Sequence, residues 1–214
     1  VEAIRSLASW VNPSKLDRVE GRFRDLGSRS VEQIYDIFDQ YIGNLLSSNS
    51  DAVQEATAEA ISRLNYGNAA ERLNRLANDN SLSAKLRASA VEALYAIDAD
   101  EVDAAVAMAI KTKSPLLRAA AVRVLAKRNA KSEELFSALT EALNGRDIRE
   151  QQNAIDVLGS LKSKEAIALL EIQTQQLIQG ATSSFLQLDI LEAAKANKGG
   201  KLSQMTFDYE KSRA

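Results

Sequence analysis

Apolar side chains recur through the middle of this chain at intervals of three and four residues. Leu86, Ala90, Leu94 and Ile97 are spaced by four, four and three, and Leu117, Ala121 and Leu125 repeat the spacing one unit later. A helix of 3.6 residues per turn brings such positions onto one face, so the pattern predicts amphipathic helices with one apolar stripe each. Second amphipathic segments lie between them at 67–78, 100–112, 131–144 and 163–179. The first fifty residues are less regular and read as a helix at 13–26 and a longer one at 30–48, paired with a helix at 51–65. No run of alternating β-branched residues bounded by turn signals is present, so no strand is predicted.

The helical segments repeat. Leu86-Arg87-Ala88-Ser89-Ala90-Val91-Glu92-Ala93-Leu94 lines up with Leu117-Arg118-Ala119-Ala120-Ala121-Val122-Arg123-Val124-Leu125 and with Gln151-Gln152-Asn153-Ala154-Ile155-Asp156-Val157-Leu158. An earlier copy is Glu59-Ala60-Ile61-Ser62-Arg63-Leu64, and a looser one runs from Gln187 to Ala194. Taking Ile61, Val91, Val122 and Ile155 as anchors, the copies stand 30, 31 and 33 residues apart. Two helices in such a unit cannot bury their apolar faces alone, and stacking on neighbours makes the core continuous. The opening residues Val1-Glu2-Ala3-Ile4 echo Val91-Glu92-Ala93-Leu94. The chain is therefore expected to start inside a repeat and to be a piece of a longer protein.

Local signals mark the ends of these helices. Asp147 with Glu150, Asp98 with Glu101 and Ser30 with Gln33 have capping-box spacing. Ser114-Pro115 and Asn12-Pro13 each set a cap residue before a proline at the first helical position. Gly27, Gly67 and Gly180 fall where helices should stop. Residues 197–201 read as the turn before a terminal helix. The expected domain is single, spanning 1–214, with irregular helices over 1–50, regular repeats over 51–196 and a last helix over 197–214.

Composition narrows the chemistry. Hydrophobic residues are 45% and charged residues 26%, the balance of an ordinary globular chain. The longest apolar run, Ala104 to Ile110, is far too short to span a bilayer. A net charge of −2, a pI near 5.4 and 5% aromatic residues argue against a nucleic-acid partner. There are no cysteines and no histidines, which removes thiol nucleophiles, imidazole acid–base chemistry and the usual zinc and haem ligands. No metal and no cofactor is expected.

At Leu86-Arg87-Ala88-x-Ala90-Val91-x-x-Leu94 and Leu117-Arg118-Ala119-x-Ala121-Val122-x-x-Leu125 the chain resembles the second helix of HEAT-like, armadillo-type repeats. That resemblance implies an all-α superhelix of about five helix pairs plus a truncated first one, with the second helix of each pair lining a concave surface. It also implies a ladder between an acid before the second helix and an arginine near its start. Arg87 and Arg118 hold the arginine position, but Gln151 replaces it in the third copy, with Arg149 displaced by two. Asp79 supplies the acid once, and Lys111 to Lys113 stand there in the next unit, so the ladder is expected to be broken. A second resemblance covers Ala154 to Gly159, Lys164 to Ala166 and Phe185 to Ala194. These look like the HEAT segment of large multidomain proteins of planctomycete-type bacteria, between a sugar-dehydrogenase-like propeller and a cytochrome c domain with a CxxCH haem site. With no cysteine or histidine, this segment would leave any redox role to its neighbours.

Three sets of residues invite a chemical reading. Arg87, Arg118 and Arg149 would form a line of cations along the groove, suited to an acidic peptide or phosphate, unless they pair with local acids and helix ends. Asp98, Asp100, Glu101 and Asp103 cluster at a helix start, where acids complement the macrodipole and need no catalytic role. Gly199-Gly200-Lys201-Leu202-Ser203 lacks the earlier glycine and the preceding strand of a phosphate-binding loop. The aromatic residues are scattered, and Trp10 is expected to pack on the helix at 13–26.

The sequence thus predicts a scaffold or spacer that does not catalyse, with a protein partner or neighbouring domains of the same chain as its ligand. The alternatives are an accessory segment that positions the redox domain of an exported haem protein and, further off, a HEAT-like nucleic-acid binder. Localisation follows the same division, exported or periplasmic with the haem context and cytoplasmic without it.

Overall fold

The computed structural model describes residues 1–17, 19–129, 131–197 and 200–213. It is an all-α helical-repeat fold of the solenoid class, and among the described residues its one β contact is an isolated bridge between Leu16 and Phe23. The helices are α1 (Glu2–Ala8), α2 (Glu32–Leu46), α3 (Asp51–Leu64), α4 (Ala70–Asn78), α5 (Ala84–Ala96), α6 (Val102–Ile110), α7 (Pro115–Arg128), α8 (Glu133–Asn144), α9 (Ile148–Ser160), α10 (Lys164–Ile178), α11 (Gln187–Ala196) and α12 (Gly200–Arg213). The chain forms two compact units, Val1–Ala109 and Ile110–Ala214.

In the first unit α3 packs against α1 on one side and α5 on the other, while α2 lies against α3 and α4 against α5. In the second, α7, α9 and α11 form one row and α8, α10 and α12 a second row against it. The stripes read from the sequence face the core: Leu86, Ala90 and Leu94, then Leu117 and Ala121, are inaccessible, and Leu125 is half-buried against the core. Ile61, Val91, Val122, Ile155 and Ile190, the equivalent positions of five copies, are all buried.

Small residues set how closely the rows approach. Gly159 on α9 faces Ala193 on α11 so tightly that a Cβ added to it would stand 2.9 Å from both the Cα and the Cβ of Ala193. A glycine inside a helix normally costs about 0.5–1 kcal/mol relative to alanine. Here the sign should reverse, because the methyl group meets backbone: Gly159→Ala is expected to lose about 1–3 kcal/mol in chemical denaturation, as overpacked cores do.

Three of the end signals read from the sequence, Ser114-Pro115, Asp147 and Gly180, are used as expected. Ser114 accepts from the Leu117 amide ahead of Pro115, and Asp147 accepts from the Glu150 amide. Ser83, Ser132 and Ser163 do the same for α5, α8 and α10. Gly180, at φ +70°, ends α10, with the Ala181 amide donating back to the Gln176 carbonyl. Lys198 and Gly199, within the turn expected at 197–201, lie outside the described residues.

Other expectations fail, each for a local reason. Among the described residues of 13–26 no helix forms. The Asp17 side chain instead accepts from the Val19 and Glu20 amides, Gly21 adopts φ +66°, and the Arg24 amide donates to the Lys15 carbonyl in a short hairpin. Asn12-Pro13 therefore starts no helix, Gly27 stops none, and Trp10 meets the Arg29 guanidinium, 4.3 Å above its ring. Ser30 does not cap α2; its hydroxyl donates to the Glu32 carboxylate, and Val31 takes the cap position. Asp98 adopts φ +51° at the end of α5, where the Ala99 amide returns to the Leu94 carbonyl, so it serves a helix stop rather than a start. Gly67 lies two residues past the stop of α3, which is Asn65 at φ +53°.

An aromatic cluster fastens α2 to α3. Tyr66 packs edge-on against Tyr35 and Phe38, and its hydroxyl donates to the Asp39 carboxylate, while the Tyr35 hydroxyl donates to the Leu64 carbonyl at 2.7 Å. Burial first, and the bond to Asp39 second, push the Tyr66 phenol above its ordinary value. A raised phenol favours the folded state in full below the unfolded value of about 10 and loses that contribution as pH climbs toward the folded one. Alkaline titration of stability should accordingly fall less steeply above about pH 10 in Tyr66→Phe than in the parent chain.

Candidate interaction surface

The fourth residue of four helices, α3 and α5 in the first unit and α7 and α9 in the second, plays one repeated part. Gln54 of α3 donates to the Leu46 carbonyl at the end of α2 (2.6 Å), and Arg87 of α5 donates to the Ala77 carbonyl at the end of α4 (3.0 Å). Arg118 of α7 donates to the Thr112 carbonyl after α6 (2.7 Å), and Gln151 of α9 donates to the carbonyls of Leu143 and Gly145 at the end of α8 (3.0 and 3.2 Å). The last carbonyls of a helix have no partner inside it and carry its negative end, so a long side chain rich in N–H groups suits this place. The cap residues one turn earlier, Ser50, Ser83, Ser114 and Asp147, stand 33, 31 and 33 residues apart.

This accounts for two of the three arginines singled out from the sequence. Arg87 is buried, with 8% of its surface exposed. Asp79 faces it without an ion pair; that carboxyl sits below the ordinary range chiefly because Ser81 donates to it, with the charge of Arg87 a smaller influence. Arg118 forms a fork on Glu150 of α9, at 2.7 and 2.6 Å, with side chains 21% and 6% exposed. Glu150 holds the guanidinium above its ordinary value against the opposing pull of burial. Arg149 is exposed. The ladder read as broken is continued by other means: Gln151 takes over the carbonyl contact, and the acid opposite Arg118 comes from the next helix of the row, 32 residues on.

Further rungs join helices one repeat apart. Lys85 pairs with Glu55 at 2.5 Å, Arg123 donates to Asn153 at 2.5 Å, Gln152 donates to Asp189 at 3.0 Å, and Lys201 pairs with Glu171 at 2.9 Å. Asn197, buried, donates to the carbonyls of Gly159 and Ala193, and Lys162 donates to that of Ala196.

In the second unit α9 and α11 lie side by side. A cleft of about 330 Å³ opens between them, lined by Asp156, Gly159, Ser160, Asp189, Glu192 and Ala193, with Asp156 and Glu192 exposed. Sequence reading passed over these acids because their meeting depends on the stacking of two helices more than thirty residues apart. Among the described residues no group of three or more His, Cys, Asp or Glu side chains is placed to hold a metal, and no helix is long and apolar enough to cross a membrane.

These features define the class as an all-α helical-repeat protein. Residues 102–176, covering α6 to most of α10, match the family of HEAT repeats. No curated protein matches the chain. The match concerns the repeats alone and gives no support to the multidomain redox context.

Removing Arg118 leaves Glu150 buried and uncompensated, a change that costs about 3–5 kcal/mol in comparable sites. Arg118→Ala is expected to lose stability on that scale in urea unfolding, while Arg149→Ala should stay within about 0.5 kcal/mol of the parent, as exposed substitutions do.

Proposed function

We propose that this chain is a non-catalytic scaffold that binds a protein partner on the exposed face of the α7, α9 and α11 row. The observation that carries the reading is the division of labour among polar groups. Buried or half-buried donors and acids, Arg87, Arg118, Glu150 and Gln151, are committed to helix ends and to neighbouring helices. Arg149, Asp156 and Glu192 are exposed on the same row and are available to a ligand. The repeat match supports an interaction role, since stacked helical repeats present extended surfaces to partners.

On this reading Arg149 is the one of the three arginines that meets the partner, and Arg87 and Arg118 act by holding the surface in shape. The α9–α11 cleft, with its carboxylates and the C-terminal ends of two helices, suits a basic segment. Affinity capture from the native host with the tagged parent chain and with Asp156→Lys/Glu192→Lys tests this. A protein retained by the parent and lost by the double variant, at unchanged helicity and melting temperature, is the expected result. An identical set of captured proteins would remove the α9–α11 face from consideration.

A further inference from the structure

We infer that Met108 is a site of reversible oxidation, built against the Arg87 guanidinium. The chain has no cysteine and only two methionines, Met108 and Met205, so thioether sulfur is its sole redox-active side-chain chemistry of this type. Met108, on α6, is half-buried, which leaves it open to a small oxidant. Its Sδ accepts from Arg87 Nη2 at 3.4 Å.

The guanidinium is the unusual partner. Arg87 is nine-tenths buried, yet among the described residues no carboxylate lies within ion-pair distance of it. Its acceptors are the Ala77 carbonyl and the Met108 sulfur, the latter a weak one. Arg118, in the equivalent position of the next repeat, has a carboxylate fork in addition to its carbonyl. A buried cation short of strong acceptors gains from any oxygen that comes within hydrogen-bonding reach.

Oxidation supplies that oxygen. A hydroperoxide such as hydrogen peroxide transfers one oxygen to the thioether: the O–O bond breaks, an S–O bond forms, the sulfur loses two electrons and water leaves. The sulfoxide oxygen then accepts a charge-assisted hydrogen bond from Arg87 where the thioether accepted a feeble one. Return requires two thiols, which take up the oxygen as water and leave as a disulfide. In an apolar pocket a sulfoxide disrupts packing; here its partner is already in place, so the folded state tolerates or favours it.

The test is hydrogen peroxide treatment of the folded chain, followed by peptide mass spectrometry and thermal unfolding, with Met205→Leu as background so that Met108 is the one methionine. The expected result is one added oxygen on the Met108 peptide, an unchanged or raised melting temperature, and restoration of the original mass and temperature by a thiol-dependent sulfoxide reductase. In Arg87→Leu the same oxidation should lower the melting temperature. Should that variant fail to fold, Met108→Gln, which places a carbonyl oxygen at a similar distance from the backbone, is compared with Met108→Leu and is expected to be the more stable of the two. An unmodified Met108 in the folded protein, a melting temperature lowered by its oxidation, or a Gln variant less stable than the Leu variant would each overturn the inference.

Discussion

Helix ends inside a stack present a problem that isolated helices do not have. The last carbonyls of each helix point away from any intrahelical donor, and when another helix pair is laid across them water cannot reach them either. In this chain the solution is supplied by the following helix, from its fourth residue, at Gln54, Arg87, Arg118 and Gln151. The side chain must be long enough to cross from one helix to the end of the other and must carry N–H groups, which restricts it to a few residue types. Because the donor is fixed on one helix and the acceptor on another, the contact sets how far each helix enters the stack. The tight packing of Gly159 on Ala193 and the alignment of the buried stripes presuppose that register.

The ion-pair rungs follow from it. Once successive helices share a register, side chains about thirty residues apart meet across the row, as Lys85 does with Glu55 and Arg118 with Glu150. These two are not equal in energy. Lys85 is mostly solvated, with 69% of its side chain exposed, and such pairs contribute little. Arg118 and Glu150 are largely withdrawn from water, so the pair defines which residue must face which far more than it adds net stability. A groove cation and a stacking cation can therefore occupy the same position in a repeat alignment, and only the neighbour one repeat away distinguishes them.

The helices with an unbroken 3.6-residue pattern and a Ser or Asp cap were legible from sequence: α5, α7, α9 and the segments between them fall where the periodicity places them. The segment 13–26 misleads because Leu16, Val19, Phe23 and Leu26 have spacing compatible with a helix, yet all four stay exposed and no neighbour rewards the stripe. There the Asx-type turn at Asp17 and the left-handed Gly21 decide the backbone instead. Asp98 misleads differently, since a cap motif read forward takes no account of the helix behind it that needs a stop. The candidate surface was the least legible part. Arg149 stood out as a charge, but Asp156 and Glu192 became a site only when α9 and α11 were brought side by side.

The contrast between Arg87 and Arg118 shows why a repeat need not repeat its chemistry. Both guanidinium groups reach the end of the preceding helix, so the geometric task is identical. Arg118 finds a carboxylate in the next helix of its row; Arg87 finds a thioether on α6, while the carboxylate of Asp79 is engaged by Ser81 instead. The stacking contact needs one donor from each arginine and leaves the others unassigned. What meets those remaining donors is set by positions that the stack does not constrain, and that freedom is where a scaffold of uniform architecture can acquire a local chemical character, inert at Arg118 and responsive at Arg87.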